Sequence, residues 1–224
     1  FVNAYSMPYS MNNYKNMQML HASREWKKAY VSLLFQNDGR QLGSDTVGVN
    51  VQYRQTVGLV ANREFSKKVK AAGEFYYQFG NNSNGQTVNA MFASAQVTFK
   101  TKLTPITIGG DYASGTKLED AGKDNAWNPL YGTNHKWYGY MDYFYVGNPH
   151  GQGGRTTGLI DIYLKTKFKL AKKHSLAVDG HYFMSPVTIY STRASDPPNS
   201  VELSSDLGVE IDLVYKFEIS KAVN

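Results

Sequence analysis

Alternation of apolar and polar residues with a period of two constrains this chain more than any other feature. It is clearest from Asp206 to Ile219. Leu207, Val209, Ile211, Leu213, Tyr215, Phe217 and Ile219 fall on one side, and Asp206, Gly208, Glu210, Asp212, Lys216 and Glu218 on the other, with Val214 the apolar exception. Successive side chains of a β-strand point to opposite faces, so the pattern predicts an extended strand with one greasy and one charged face. A strand this long suits a wall between an apolar medium and water.

The pattern recurs. In 157–170, Ile160, Ile162, Leu164, Phe168 and Leu170 oppose Asp161, Tyr163, Lys165, Lys167 and Lys169. In 175–184, Leu176, Val178, Tyr182 and Met184 oppose Ser175, Asp179 and His181. In 69–80, Val69, Ala71, Phe75, Tyr77 and Phe79 oppose Lys70, Glu74, Tyr76 and Gln78. Segments 28–37, 47–61, 86–100 and 104–114 alternate less cleanly, and 15–23 offers a further strand with Met17 and Met19 opposed by Gln18. About nine strands are expected from these templates.

The connections alternate in length. Short ones are expected at 24–27, 62–68, 101–103 and 171–174, and long ones at 37–46, 81–85, 117–156 and 185–204. Several strands exceed the roughly 5–6 residues usual in soluble sheets. Short turns at one end and long loops at the other are the pattern of outer-membrane barrels, whose strands need only about 10 residues, half of them polar. Aromatic residues fall near the strand ends on the apolar face. Phe35, Tyr77, Phe79, Tyr112 and Tyr182 lie toward the long loops, and Phe99, Phe168, Tyr215 and Phe217 toward the short turns. Two such girdles match the two interfaces of a bilayer; the competing explanation is the aromatic core of a β-sandwich. Neither the mean hydropathy of −0.45 nor the lack of a long apolar run counts against a barrel. The expected fold is therefore all-β: an antiparallel transmembrane β-barrel in one domain, residues 1–224.

The net charge of +6 is unevenly placed. Of 24 Lys and Arg, fifteen lie at or beside the short turns: Arg24, Lys27, Lys28, Arg63, Lys67, Lys68, Lys70, Lys100, Lys102, Lys167, Lys169, Lys172, Lys173, Lys216 and Lys221. Such a rim can meet anionic lipid headgroups or keep strand edges solvated and apart. Nucleic acid is not expected as a partner, because the charges do not gather on one helix or around a stacking platform.

The polar face carries both signs: Arg54, Glu74, Asp111, Asp161, Lys165, Lys167, Asp179, His181, Glu210 and Asp212 are the candidate solute path. A hairpin closing at 171–174 would bring Lys165 opposite or diagonal to Asp179, and opposite charges so placed contribute roughly 0.2–1 kcal/mol each. A charged path for a polar or ionic solute and a ladder of wall-stabilising ion pairs both fit. His21, His135, His150, His174 and His181 show no metal-ligand spacing, and the chain has no cysteine, so no metal or cofactor is expected. His181 near Asp179 resembles an acid–base pair, yet neither Ser175 nor Ser185 can be assigned as a nucleophile; no catalytic residue and no enzyme activity are expected. Gly151-Gln152-Gly153-Gly154 follows no apolar strand and opens no helix, so it is not a phosphate cradle.

The longest connection, 115–156, holds the most distinctive stretch, Asn128 to Tyr145. A loop of that length inside a domain is usually functional or disordered, and this one is rich in aromatics. It is expected to fold over or into the barrel mouth, with Tyr131, Asn134, His135, Lys136, Trp137, Tyr140, Asp142 and Tyr143 as mouth residues; a packed plug that only stabilises the loop is the alternative. Tyr131-Gly132-Thr133-Asn134-His135-Lys136 and Gly139-Tyr140-Met141-Asp142-Tyr143-Phe144 resemble the alginate-export-like outer-membrane proteins of Bacteroidetes, as does the framework Leu207-Gly208-Val209-Glu210-Ile211-Asp212. The resemblance covers about the C-terminal half and implies a larger barrel of roughly 16–18 strands, of which this chain would be a part lacking N-terminal strands, a signal sequence and a terminal aromatic-ended strand. It also implies an outer-membrane location in a Gram-negative bacterium and a porin-like channel or export pore for polar or anionic solutes, polysaccharide among them. The family's prototype has a strongly basic lumen, whereas Glu74, Asp161, Asp179, Glu210 and Asp212 make this one mixed. A non-conducting structural or partner-binding barrel subunit of an envelope complex is the second expectation.

Overall fold

The computed structural model describes residues 14–42, 50–131, 138–141, 143–144, 156–191, 195–197 and 201–219. The strands are β1 (Tyr14–Trp26), β2 (Ala29–Gln41), β3 (Val51–Glu64), β4 (Val69–Asn81), β5 (Thr87–Lys100), β6 (Pro105–Ala113), β7 (Lys123–Asp124), β8 (Leu159–Ala171), β9 (His174–Met184), β10 (Ile189–Tyr190), β11 (Glu202–Leu203) and β12 (Asp206–Phe217). No helix occurs among the described residues. Nine long strands form one antiparallel meander in the order β1-β2-β3-β4-β5-β6-β8-β9-β12, with β7 added parallel to β5 and β10–β11 forming a separate ribbon. The nine correspond to the segments that alternate in the sequence, and their ends shift by a few residues.

The connections divide as their lengths suggest. Residues 27–28, 65–68, 101–104 and 172–173 turn at one end of the sheet; the longer connections, after β2, β4, β6 and β9, leave and re-enter it at the other. Because each strand folds back on its neighbour in register, side-chain parity is preserved across the sheet: Val57 lies opposite Phe35 and Tyr77, and Ile162 opposite Gly110 and Tyr182.

The apolar parity is left open. Val209 and Ile211 are each 73% exposed, Leu213 68%, and Leu33, Leu59, Phe75, Ile108, Ile162 and Leu164 are exposed as well. Among the described residues no second sheet packs on this face; the extensive contacts of each long strand are with its neighbours in the sheet, apart from β7 beside β5. A sandwich core, the competing account of these aromatics, is absent from the described chain. The buried cluster lies on the opposite, polar face instead, where Phe92, Ala113, Leu159 and Phe183 meet Trp127, Tyr138 and Phe144 of the long loop.

The sheet is open: β1 pairs only with β2 and β12 only with β9 among the described residues. One expectation is corrected: the faces of β1 are the reverse of what its methionines suggest. Met17 and Met19 share parity with Asp38 and Gln36, and the Gln36 amide donates to the Met17 sulfur at 3.6 Å. Gln18, Leu20 and Ala22 lie on the open side, opposite Asn37, Phe35 and Leu33. Register with β2 decides the parity here, because β1 alternates weakly.

Candidate functional site

The polar face is where the chain's ionisable groups converge with its longest loop. Two features seat the loop's first part. Ser114, just past β6, accepts the Met91 amide at 2.8 Å through its hydroxyl, which in turn donates to the Asn125 carbonyl at 2.7 Å. β7 then runs beside Thr87 and Val88 of β5. Gly158 closes the neck: its φ is +77°, and a Cβ there would meet the Ala113 carbonyl oxygen at 2.4 Å, so only glycine fits.

The consequence is that Asp124 reaches Arg54. The buried Arg54 guanidinium donates to Asp124 at 2.6 Å, tying the loop to β3. Gln78 grips the next turn from both sides, donating to the Asn128 carbonyl at 2.7 Å and accepting the Asn128 amide at 3.3 Å. The Tyr131 hydroxyl donates to Asp38 at 2.5 Å, and Asp38 also accepts from Arg40 at 3.1 Å. Partial burial, followed by the bond to Asp38, pushes the Tyr131 hydroxyl up to about 12. Trp127 stacks on Phe92 and faces Tyr76, each with ring centroids 5.7 Å apart. Between these rings, Leu130, Tyr131 and Tyr138 lies a cavity of about 290 Å³.

The loop returns to the wall at 138–144. The Tyr140 and Met141 amides donate to the carboxylates of Asp212 (3.2 Å) and Glu210 (2.7 Å) on β12. Phe144 packs against Phe183 at 5.2 Å. Tyr138 is buried with φ +67°, a conformation that costs an ordinary residue of order 1–3 kcal/mol and persists only where the surroundings impose it. Burial, then the negative charge of Asp111, hold its hydroxyl far above the usual tyrosine range. Gly139 has φ +82°, and a Cβ there would come within 2.5 Å of the Glu210 carboxylate. Gly139→Ala should therefore undock this turn: chymotrypsin should cut at Tyr140 and Tyr143 faster than in the parent, and an unchanged cleavage rate would show the docking to be irrelevant.

Further along the wall, Asp111 and Asp161 lie directly opposite each other on β6 and β8, a destabilising pairing unless one charge is compensated. His181 compensates Asp161. Its Nδ1 lies 2.8 and 3.0 Å from the two carboxylate oxygens, and both side chains are almost completely buried. The Asp179 expected beside His181 is not its partner. Residues two apart on a strand share a face but stand more than 6 Å apart along it, whereas the diagonal neighbour on β8 is in reach. Nε2 points toward Asp212, at 4.0 Å. The Ser185 hydroxyl donates to the Val187 carbonyl, away from any role with His181.

Lys165 does lie opposite Asp179 in register, yet no ion pair joins them among the described residues; its ammonium sits 4.6 Å over the Tyr163 ring. Lys167 is exposed toward the short turns, apart from the buried carboxylates. Glu74 shares the polar face with Asp111 through Ser94, which is opposite both. Of the expected mouth residues, Tyr131 is anchored to Asp38, while Tyr140 and Tyr143 are largely exposed. Asn134, His135, Lys136, Trp137 and Asp142 lie outside the described residues. Sequence reasoning missed Asp38, Gln78, Asp124, Trp127 and Tyr138. For Asp38 a signal existed: continuing the parity of β2 by one residue past Asn37 places it on the polar face.

No protein-family model matches the chain, and no curated protein matches it significantly. The arrangement itself remains the guide. It places mixed charge beside aromatic rings, an arrangement that can hold polar solutes.

Proposed function

We propose that the chain forms part of the wall of an outer-membrane β-barrel that acts as a porin-like channel or export pore for polar solutes. The observation that carries this reading is the open apolar face. Nine long strands present Ile211, Leu213, Leu164, Ile162 and their neighbours to the outside with no layer of the described chain over them. Water is a poor medium for so large an apolar surface, and exposed patches beyond a few hundred Å² mark a protein or membrane contact. Lipid is the medium that suits alternating strands of 9 to 14 residues with aromatics at both ends. The two unpaired edges need further strands, since bare backbone groups are not tolerated in hydrocarbon. The similarity of Asn128–Tyr145 and Leu207–Asp212 to alginate-export-like proteins agrees with a larger barrel and extends the proposed cargo to anionic polysaccharide. In this reading the 115–156 loop constricts the mouth. Replacing that loop by a short turn should raise the single-channel conductance of the protein in planar bilayers; an unchanged conductance would remove the loop from the path.

One observation favours a second reading. Trp127, Tyr138 and Phe144 fill the polar face with Phe92, Leu159 and Phe183, and Gln78 and Arg54 fix the loop there. A face so filled suits a non-conducting structural or partner-binding barrel subunit of an envelope complex. Complete absence of conductance steps, in the parent and in the loop-deleted chain, favours that reading.

A further inference from the structure

Deeper on the polar face than the loop's anchoring points lies a second cavity, of about 370 Å³, whose walls include Glu74, Ser94, Asp111, Tyr138, Tyr163 and Lys165. Asp111 is 95% buried by its 5% exposure, and its Oδ1 accepts no hydrogen bond from any described residue. A buried carboxylate oxygen without a donor costs several times what an ordinary hydrogen bond contributes, so the site calls for a donor from outside the chain. The neighbouring donors are engaged: Asp161, opposite it, takes the His181 Nδ1 with both of its oxygens, and Lys165 rests on the Tyr163 ring.

We propose that this cavity is a binding site for a small organic ammonium ion, with Asp111 as the charged partner and the rings of Tyr138 and Tyr163 as the walls. Three features of the cavity favour that class. Its lining carries two carboxylates and one ammonium, Glu74, Asp111 and Lys165, so a cation balances it and an anion does not. Tyr163 already accepts an alkylammonium on its face, that of Lys165, at a distance typical of cation–π contacts. Among the described residues no three His, Asp or Glu side chains converge as a metal ion's ligands do, which disfavours a bare divalent cation. The N–H groups of a primary ammonium can reach Asp111 and the Ser94 hydroxyl while its alkyl part lies between the rings. The inference concerns a ligand of this cavity, not the cargo of the path proposed above. Binding does not require conduction, so failure here leaves the conduit reading standing.

The test is a ligand-observed NMR titration of the purified 224-residue chain with n-propylammonium, propan-1-ol and propionate. Saturable binding is expected for propylammonium and none for propionate. Asp111→Asn should weaken propylammonium binding about tenfold or more, and Lys165→Gln, which removes the resident ammonium, should strengthen it by about threefold. A merely structural role for Lys165 gives no reason for tighter binding, and this variant carries the test should Asp111→Asn not fold. Equal binding of propionate, no saturable binding of propylammonium, or an affinity unmoved by Lys165→Gln would overturn the proposal.

Discussion

An arginine in place of Leu164 should destabilise the protein by about 2–4 kcal/mol when folding is measured in a lipid bilayer. Leu164 lies at the middle of β8, opposite Ile108 and Gly180, in a strand paired on both sides. It is 51% exposed, so by contact alone it is an ordinary surface residue. Substitutions at water-facing positions of that kind usually change stability by no more than about 0.5 kcal/mol. The two media therefore give answers that differ several-fold. In hydrocarbon the guanidinium must drag water inward or leave its strand; in water it is merely solvated. Urea unfolding of the chain from vesicles, compared between the parent and Leu164→Arg, reads the difference directly. Lys165→Arg on the other face is the control and should be near neutral.

The second large effect is expected at His181. Asp161 and His181 are both buried, and the carboxylate takes both of its short contacts from one imidazole. His181→Ala leaves Asp161 without a donor, directly opposite the equally buried Asp111. Loss of one partner from a buried pair typically costs about 3–5 kcal/mol, most of it the penalty of the group left behind. Asp161→Asn should relieve much of that penalty, so the double variant should be more stable than the sum of the two singles by about 1 kcal/mol or more. Chemical denaturation of the four proteins measures the cycle. Strict additivity would mean that the two side chains do not act as a pair. A membrane on the far side of the sheet does not alter this expectation, because both groups face away from the apolar surface.

The strands and their faces are legible in the sequence because parity is a local property. Val209 through Phe217 announce their own orientation, and Ile160 through Leu170 do the same; Leu207, expected on the apolar side, instead packs against the buried cluster of the polar face, because the register with β9 shifts between Asp206 and Gly208. The division into short turns and long loops follows as soon as the strands are placed. What is not legible depends on stagger and on distant segments. His181 pairs with Asp161, its diagonal neighbour on β8, rather than with Asp179, and that choice depends on how the two strands are staggered. Arg54 and Asp124 are 70 residues apart, and only the seating of β7 on β5 makes them partners. β1 shows the limit of pattern reading. Its methionines look like an apolar face, yet pairing with β2 turns them toward Gln36 and Asp38. In the long loop, composition suggests an inward fold, but not that backbone amides of residues 140 and 141 would be what the β12 carboxylates hold.

Spin labels placed along β8 would test the central physical claim most directly, and the chain offers no native thiol to compete with them. Single variants Ile160→Cys, Ile162→Cys, Leu164→Cys and Phe168→Cys would be labelled beside Tyr163→Cys, Lys165→Cys and Lys167→Cys in protein reconstituted into vesicles. The account predicts oxygen accessibility that rises and falls with a period of two, high at 160, 162, 164 and 168 where lipid surrounds the label, with a water-soluble nickel chelate excluded from those same positions. Access of the chelate to 162 and 164 equal to that at 167, with the bilayer present, would contradict it.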